Sequence, residues 1–147
     1  MLAVARGLPA QAPRGVQPEG RLEVVAGEGT AVVAGAGVNV PAGWYARLGV
    51  GVAVGAVRVD AAAHRLLRVD ATARFLLDPF RERAVGWYGL AGLGVLSDAH
   101  NGTRPRLLAG VGMEAPMRGR RLVAAEVAIG GGVRAAVVVR RARRSGR

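Results

Sequence analysis

Residues 64–78 read HRLLRVDATARFLLD, and apolar and charged side chains alternate along them. Apolar side chains such as Leu67 and Val69 occupy every second position, and charged ones such as Arg68 and Asp70 lie between them. Successive side chains of a β-strand point to opposite faces of the sheet. A period of two therefore predicts a strand with one apolar face and one polar face.

The same period continues on both sides of this stretch. Turn-forming sequences separate the runs, among them Pro41-Ala42-Gly43 and Asn101-Gly102. Connections this short can join only antiparallel neighbours, so the chain is predicted to form an up-and-down meander. The other alternating runs are 21–40, 44–59, 85–97, 105–115 and 121–141.

The strand number depends on two glycine-containing segments. If 21–40 and 121–141 are continuous, the chain has six long strands; if Gly27-Glu28-Gly29 and Gly130-Gly131-Gly132 are turns, it has eight. A closed sheet with a filled interior suits about eight strands. The predicted fold is therefore an all-β, antiparallel up-and-down β-barrel of about eight strands, with six long strands as the alternative.

The barrel is predicted to span 21–141, between a leader at 1–20 and a basic tail at 142–147. Ala10-Gln11-Ala12 has the small-x-small form of a signal cleavage site. The apolar segment before it is shorter than the roughly 7–15 residues of a secretory signal. The leader is therefore predicted to be a flexible segment or an incomplete signal peptide.

The composition limits the possible chemistry. The chain has no Cys, which excludes disulfides, zinc-thiolate clusters and a thiol nucleophile. The net charge is +11, and much of it lies in two Arg-rich segments, 118–121 and 140–147. A charged tail of this kind is usually a solvated end. No apolar run reaches the roughly 18 residues that a membrane helix requires.

The second face of the strands consists of Gly and Ala with isolated charges, and this composition suits the inside of a narrow barrel. Glycine on a solvated strand face weakens the strand without a packing benefit. Ions enclosed in a barrel must be paired, because an unpaired buried ion costs several kcal/mol. The predicted lumen ion-pair network comprises Arg47, Arg68, Asp70, Arg74, Asp78, Arg106, Glu114, Glu126 and Arg134.

The apolar face is predicted to point outward to lipid. Three aromatic residues, Trp44, Phe80 and Trp87, fall near turns that a meander brings to one end, where they would form membrane-interface aromatics. The alternative is that Trp44 and Trp87 are ordinary core residues. The Arg residues of this face lie near strand ends, where they can extend to headgroups: Arg58, Arg65, Arg121 and Arg141.

The pattern of 21–141 resembles small bacterial outer-membrane β-barrels of the OmpA/OmpX-like type. Alternating segments with G-x-G and a Glu or Arg on the inner face are typical of that group. The resemblance implies a bacterial outer-membrane location, the lipid bilayer as partner, and a structural, adhesive or minor transport role. The matching stretches are WYARLGVGVAVGAVRV, RVDATARFLLDPF, GWYGLAGLGVL, RLLAGVGMEAP and VAAEVAIGGGVRAAVVV.

No catalytic, cofactor or metal site is predicted, and the chain is not expected to be an enzyme. Gly35 and Gly37 fit the start of a dinucleotide loop, but no helix pattern follows to hold a phosphate. Ser97, Asp98 and His100 are close in sequence, yet a catalytic triad needs side chains that converge from different parts of a fold. Asp98 and His100 alone are too few for a metal site.

Two other functions compete with the membrane barrel. A soluble, lipocalin-like barrel would turn its Leu, Val and Trp side chains inward around an apolar ligand. A nucleic-acid-binding protein would use the Arg-rich tail, but the sequence lacks Lys and exposed aromatic stacking positions, so no nucleic-acid partner is expected. The deciding observation is whether Leu48, Val69 and Leu93 point outward. The sequence leaves the oligomeric state open.

Overall fold

A computed structural model describes residues 15–60, 62–79, 85–99, 101–117 and 121–141. Each of its eight strands pairs antiparallel with the next, and β1 also pairs with β8, which closes the sheet into a barrel. The strands are β1 (Gln17–Ala26), β2 (Thr30–Pro41), β3 (Ala46–Val59), β4 (Ala62–Leu76), β5 (Gly86–Asp98), β6 (Gly102–Met117), β7 (Arg121–Ile129) and β8 (Val133–Arg141).

The eight-strand prediction is confirmed because both glycine segments are turns. The Gly27 amide donates to the Gly29 carbonyl (2.9 Å), and the Gly130 amide donates to the Gly132 carbonyl (3.0 Å). Gly131 and Gly132 have φ angles of 70° and 131°, a region that side chains rarely adopt. The three glycines therefore reverse the chain although the period of two continues through them.

The first strand begins four residues earlier than the predicted barrel boundary. Gln17 and Glu19 are buried, whereas Pro18 and Gly20 point outward. These outward positions carry no bulky apolar side chain, so the alternation that revealed the other strands is missing here. Residues 1–14 of the predicted leader and the whole of the predicted tail, 142–147, lie outside the described residues.

The barrel has two ends that differ in their connections. We call the end where β1 begins and β8 ends the terminal end; residues 42–45, 77–85 and 118–120 connect strands there. We call the opposite end the hairpin end; its connections are 27–29, 60–61, 99–101 and 130–132.

Strand β6 extends past its neighbour at the hairpin end. Its pairing with β7 runs only from Ala109 to Met117, so Gly102–Leu108 projects beyond β7. Pro105 lies in this projecting segment, where it can be accommodated because the segment has no β7 partner to receive an N–H.

The described side chains place charge inside the barrel and hydrocarbon outside it. Leu48, Val69 and Leu93 are 50%, 43% and 63% exposed, which confirms their predicted outward orientation. Arg74 and Glu126 are at most 1% exposed. In the part of the chain that the structure describes, no helix is long and apolar enough to cross a membrane.

Candidate functional site: the charged interior

Glu126 on β7 is the centre of the interior network. Its Oε1 accepts hydrogen bonds from Arg74 Nε (3.0 Å) and from the Tyr88 hydroxyl (2.9 Å). Its Oε2 accepts from Arg21 Nη2 at 2.7 Å. The carboxylate is fully buried, and these donors come from β4, β5 and β1. Charge-assisted hydrogen bonds to both oxygens compensate the loss of hydration.

Glu19 and Glu114 extend this network toward the terminal end. Glu114 Oε2 accepts from Arg47 Nη1 (2.8 Å) and from Arg140 Nη1 (3.0 Å). Glu19 accepts from Asn39 Nδ2 at 2.6 Å and pairs with Arg74 at 3.2 Å. The polar side chains of the interior toward the terminal end are therefore connected to one another across most of the barrel.

Glu23 and Asp70 organise a second group toward the hairpin end. Arg68 Nη1 donates to Glu23, and Arg68 Nε lies 2.7 Å from an Asp70 oxygen. Arg134 approaches the same two carboxylates at 3.7 and 3.6 Å. Arg21 connects the two groups, because its Nε is 3.4 Å from Glu23 while its Nη2 binds Glu126.

Glycines on the inner face provide the space for these large side chains. A Cβ on Gly49 would lie 3.2 Å from Arg74 Nη1, and a Cβ on Gly112 would lie 2.6 Å from the Tyr88 hydroxyl. The volume beside Gly49 is therefore already filled by the Asn39 amide and the Arg74 guanidinium, and the volume beside Gly112 by the Tyr88 phenol, all from neighbouring strands.

Aliphatic side chains and two small cavities complete the interior at the hairpin end. The aliphatic cluster comprises Ala31, Val33, Ala53, Leu66 and Leu96. An inner cavity of about 10 Å³ lies beside Asp70, and a mouth cavity of about 40 Å³ lies beside Asp98. Such volumes hold one or a few water-sized particles, so the described interior is packed with side chains.

The structure brings most of the predicted network residues into this interior. The exceptions are Asp78, which is exposed in the 77–85 connection, and Arg106, which forms no ion pair with a described carboxylate. Asp78 was assigned inward because the period of two continues in sequence past Leu76, where β4 ends. The predicted residues that form buried or half-buried ion pairs are Arg47, Arg68, Asp70, Arg74, Glu114, Glu126 and Arg134.

Sequence reasoning missed six members of the network. Arg21 and Glu23 alternate with Leu22 and Val24, a signal that extends the inner face into β1. Arg140 continues the alternation of Val133–Val139, but the sequence also places it at the start of the Arg-rich segment 140–147, which hides this signal. Nothing in the local sequence distinguishes Asn39 or Tyr88 from the uncharged residues of the inner face that take no part in the network. The missed members are Glu19, Arg21, Glu23, Asn39, Tyr88 and Arg140.

The outward-facing aromatic residues lie at one end of the barrel. Trp44 and Trp87 are exposed at the terminal end, and Phe80 falls outside the described residues. Tyr45 and Phe75, which were not predicted, are exposed at the same end. Among the described residues, no aromatic side chain faces outward at the hairpin end.

The residues considered for catalysis do not converge. Ser97 receives a hydrogen bond from the Thr103 hydroxyl at 3.1 Å, on the outer side of the barrel. Asp98 is buried on the inner side and accepts from the Asn101 amide at 2.6 Å. His100 lies outside the described residues. Within the described ranges, no three His, Cys, Asp or Glu residues are grouped to hold a metal.

The described residues form a closed, eight-stranded up-and-down β-barrel with a filled polar interior and an apolar exterior. No protein-family model and no curated protein matches the chain. A solved structure described as a de novo designed transmembrane β-barrel is similar over 89% of this chain and 97% of its own, with 16% identity and a TM-score of 0.56. The N-terminal β-barrel domain of Pseudomonas aeruginosa OprF is similar over 89% and 98%, with 14% identity and a TM-score of 0.59.

Proposed function

We propose that the chain is an integral barrel of a bacterial outer membrane with a structural role, its lumen closed by ion pairs. The observation that carries this proposal is the reversal of polarity between its two faces. A soluble protein rarely exposes a large contiguous apolar surface. Here the apolar surface surrounds the barrel, whereas the interior holds charged residues such as Glu126 and Arg140.

The outer surface has the layered arrangement that a bilayer requires. Between the outward arginines of the two ends, the described outward positions carry no charged side chain. Charge is costly at the bilayer centre and much less costly near the interface. These arginines are Arg58 and Arg65 at the hairpin end and Arg121 and Arg141 at the terminal end.

The strand lengths and the aromatic residues support the same arrangement. The shortest strands, β7 and β8, have nine residues, and a tilted transmembrane strand needs about 9–11. Trp44, Tyr45, Phe75 and Trp87 form a partial aromatic girdle at the terminal end. Trp and Tyr favour the boundary between headgroups and hydrocarbon.

The packed interior favours a structural role over transport or ligand binding. Its inner cavity and mouth cavity measure about 10 and 40 Å³, too small for an ordinary metabolite. A lipocalin-like protein would need an apolar internal pocket, whereas this interior is crossed by guanidinium and carboxylate groups.

Depth-dependent tryptophan quenching tests the proposal. The full chain is refolded into phosphatidylcholine vesicles whose acyl chains carry bromine at shallow or deep positions. Trp44 and Trp87 are the only tryptophans, so we expect shallow bromines to quench the fluorescence more strongly than deep ones. A V52W variant in a background without the native tryptophans is the matched control, and it should show the opposite order.

A folded monomer that remains soluble without detergent and is not quenched at either depth would overturn the proposal. Equal quenching of the native tryptophans and of V52W would contradict the predicted position of the girdle.

A further inference from the structure

We infer that the hairpin-end interior contains a binding site for a monatomic anion, chloride being the physiological example, formed by Arg68, Arg106 and Arg134. All three arginines line the inner cavity, with Asp70 as the one carboxylate in its wall. The inference concerns the inside of the barrel, so it stands whether or not a bilayer surrounds the outside.

A local excess of positive charge supports the inferred anion site. Arg68 and Arg134 share Glu23 and Asp70, which balance two positive charges. Arg106 is additional: its Nη1 donates to the Gly130 carbonyl at 3.2 Å, and it forms no ion pair with any described carboxylate. Arg106 is half-buried, and a bound anion would neutralise the part of its charge that faces the inner cavity.

Several buried guanidinium N–H groups beside the inner cavity lack protein acceptors. The side chains of Arg68 and Arg134 are each 4% exposed. Arg68 Nη2, Arg134 Nε and Arg134 Nη2 are buried and donate no hydrogen bond to a protein group, and the nearest carboxylate oxygen to Arg134 Nη2, Glu23 Oε2, is 3.7 Å away. Buried guanidinium N–H groups nearly always have an acceptor, so these three indicate a small acceptor ligand beside them.

The size and position of the inner cavity also support the inferred anion site. The inner cavity measures about 10 Å³, about the room of a single water-sized particle, which limits a ligand to one small ion and excludes phosphate or a carboxylate ligand. Val25, Arg68 and Arg106 also line the mouth cavity at the hairpin end, so the two cavities are adjacent and an ion can enter from that side.

Thermal unfolding of the full chain in detergent micelles tests the site. We expect chloride to raise the melting temperature over gluconate at equal ionic strength, with a saturable increase of about 2–6 °C. R106Q should lose this increase, and in gluconate it should be at least as stable as the wild type because it lacks the unpaired charge. R65Q removes an exposed arginine at the same end and should keep the increase.

Equal stabilisation by chloride and gluconate would show ionic screening and would overturn the inference. Loss of the increase in R65Q to the same extent as in R106Q would assign the effect to the surface and would also overturn it.

Chlorine-35 NMR of the wild-type protein provides a test that needs no variant. A bound chloride in exchange broadens the bulk line in proportion to protein concentration, and bromide should reverse the broadening. Absence of excess broadening in the folded protein would refute the site even if R106Q failed to fold.

Discussion

The inner and outer faces of β4 differ as sharply as any two regions of the molecule. Its inner positions Arg68, Asp70 and Arg74 are buried among ion partners, whereas Leu67 and Val69, which alternate with them, point outward. The comparison shows that one strand can satisfy two opposite environments because its period is two. The inner face requires its charges to be paired, and the outer face requires its charges to lie near the strand ends, as Arg65 does.

The largest effect is expected from removing the central carboxylate of the inner face. E126A leaves Arg21 and Arg74 buried without their main acceptor, and such a change costs about 3–5 kcal/mol. The free energy of unfolding, measured by urea titration in vesicles, should fall by this amount. The control E28A removes an exposed pair with Arg104 and should cost about 0–1 kcal/mol.

Similar losses for E126A and E28A would mean that the interior is hydrated and that its ions do not need one another. The contrast between the two faces would then be one of composition alone.

A smaller effect is expected from placing a charge on the outer face. V52R introduces a guanidinium midway along β3 and should cost about 2–4 kcal/mol in vesicles, whereas T103R near the hairpin end should cost about 0–1 kcal/mol. The same unfolding titration measures both. Equal stability of V52R and T103R would show that the middle of the outer face does not lie in the hydrocarbon core of the bilayer.

The smallest effect concerns the glycines of the two faces. G112A places a methyl group against Tyr88 and should destabilise the barrel by about 1–3 kcal/mol. G89A in neighbouring β5 meets no atom within 4 Å and should change stability by less than about 0.5 kcal/mol. Equal effects of the two substitutions would show that inner glycines are not needed for space.

Much of the fold was predictable because strand faces are a local property. The alternation around Val69 and Leu93 identified the outward side, and Arg68 and Glu126 were assigned inward from the same period. Periodicity does not mark a strand whose outward positions lack bulky residues, as around Gln17, and it does not mark the end of a strand where the alternation continues into a turn, as at Asp78. Local alternation contains no signal for where pairing stops.

The all-β class and the face of the sheet to which most side chains belong can be read from the sequence alone, since both follow from residue-by-residue periodicity. Which charged side chains pair with one another depends on the closed barrel. Arg21 and Glu126 are 105 residues apart and bind each other because closure of β1 onto β8 brings them across the lumen. Partner choice depends on register and barrel closure, and these are set by the whole sheet at once.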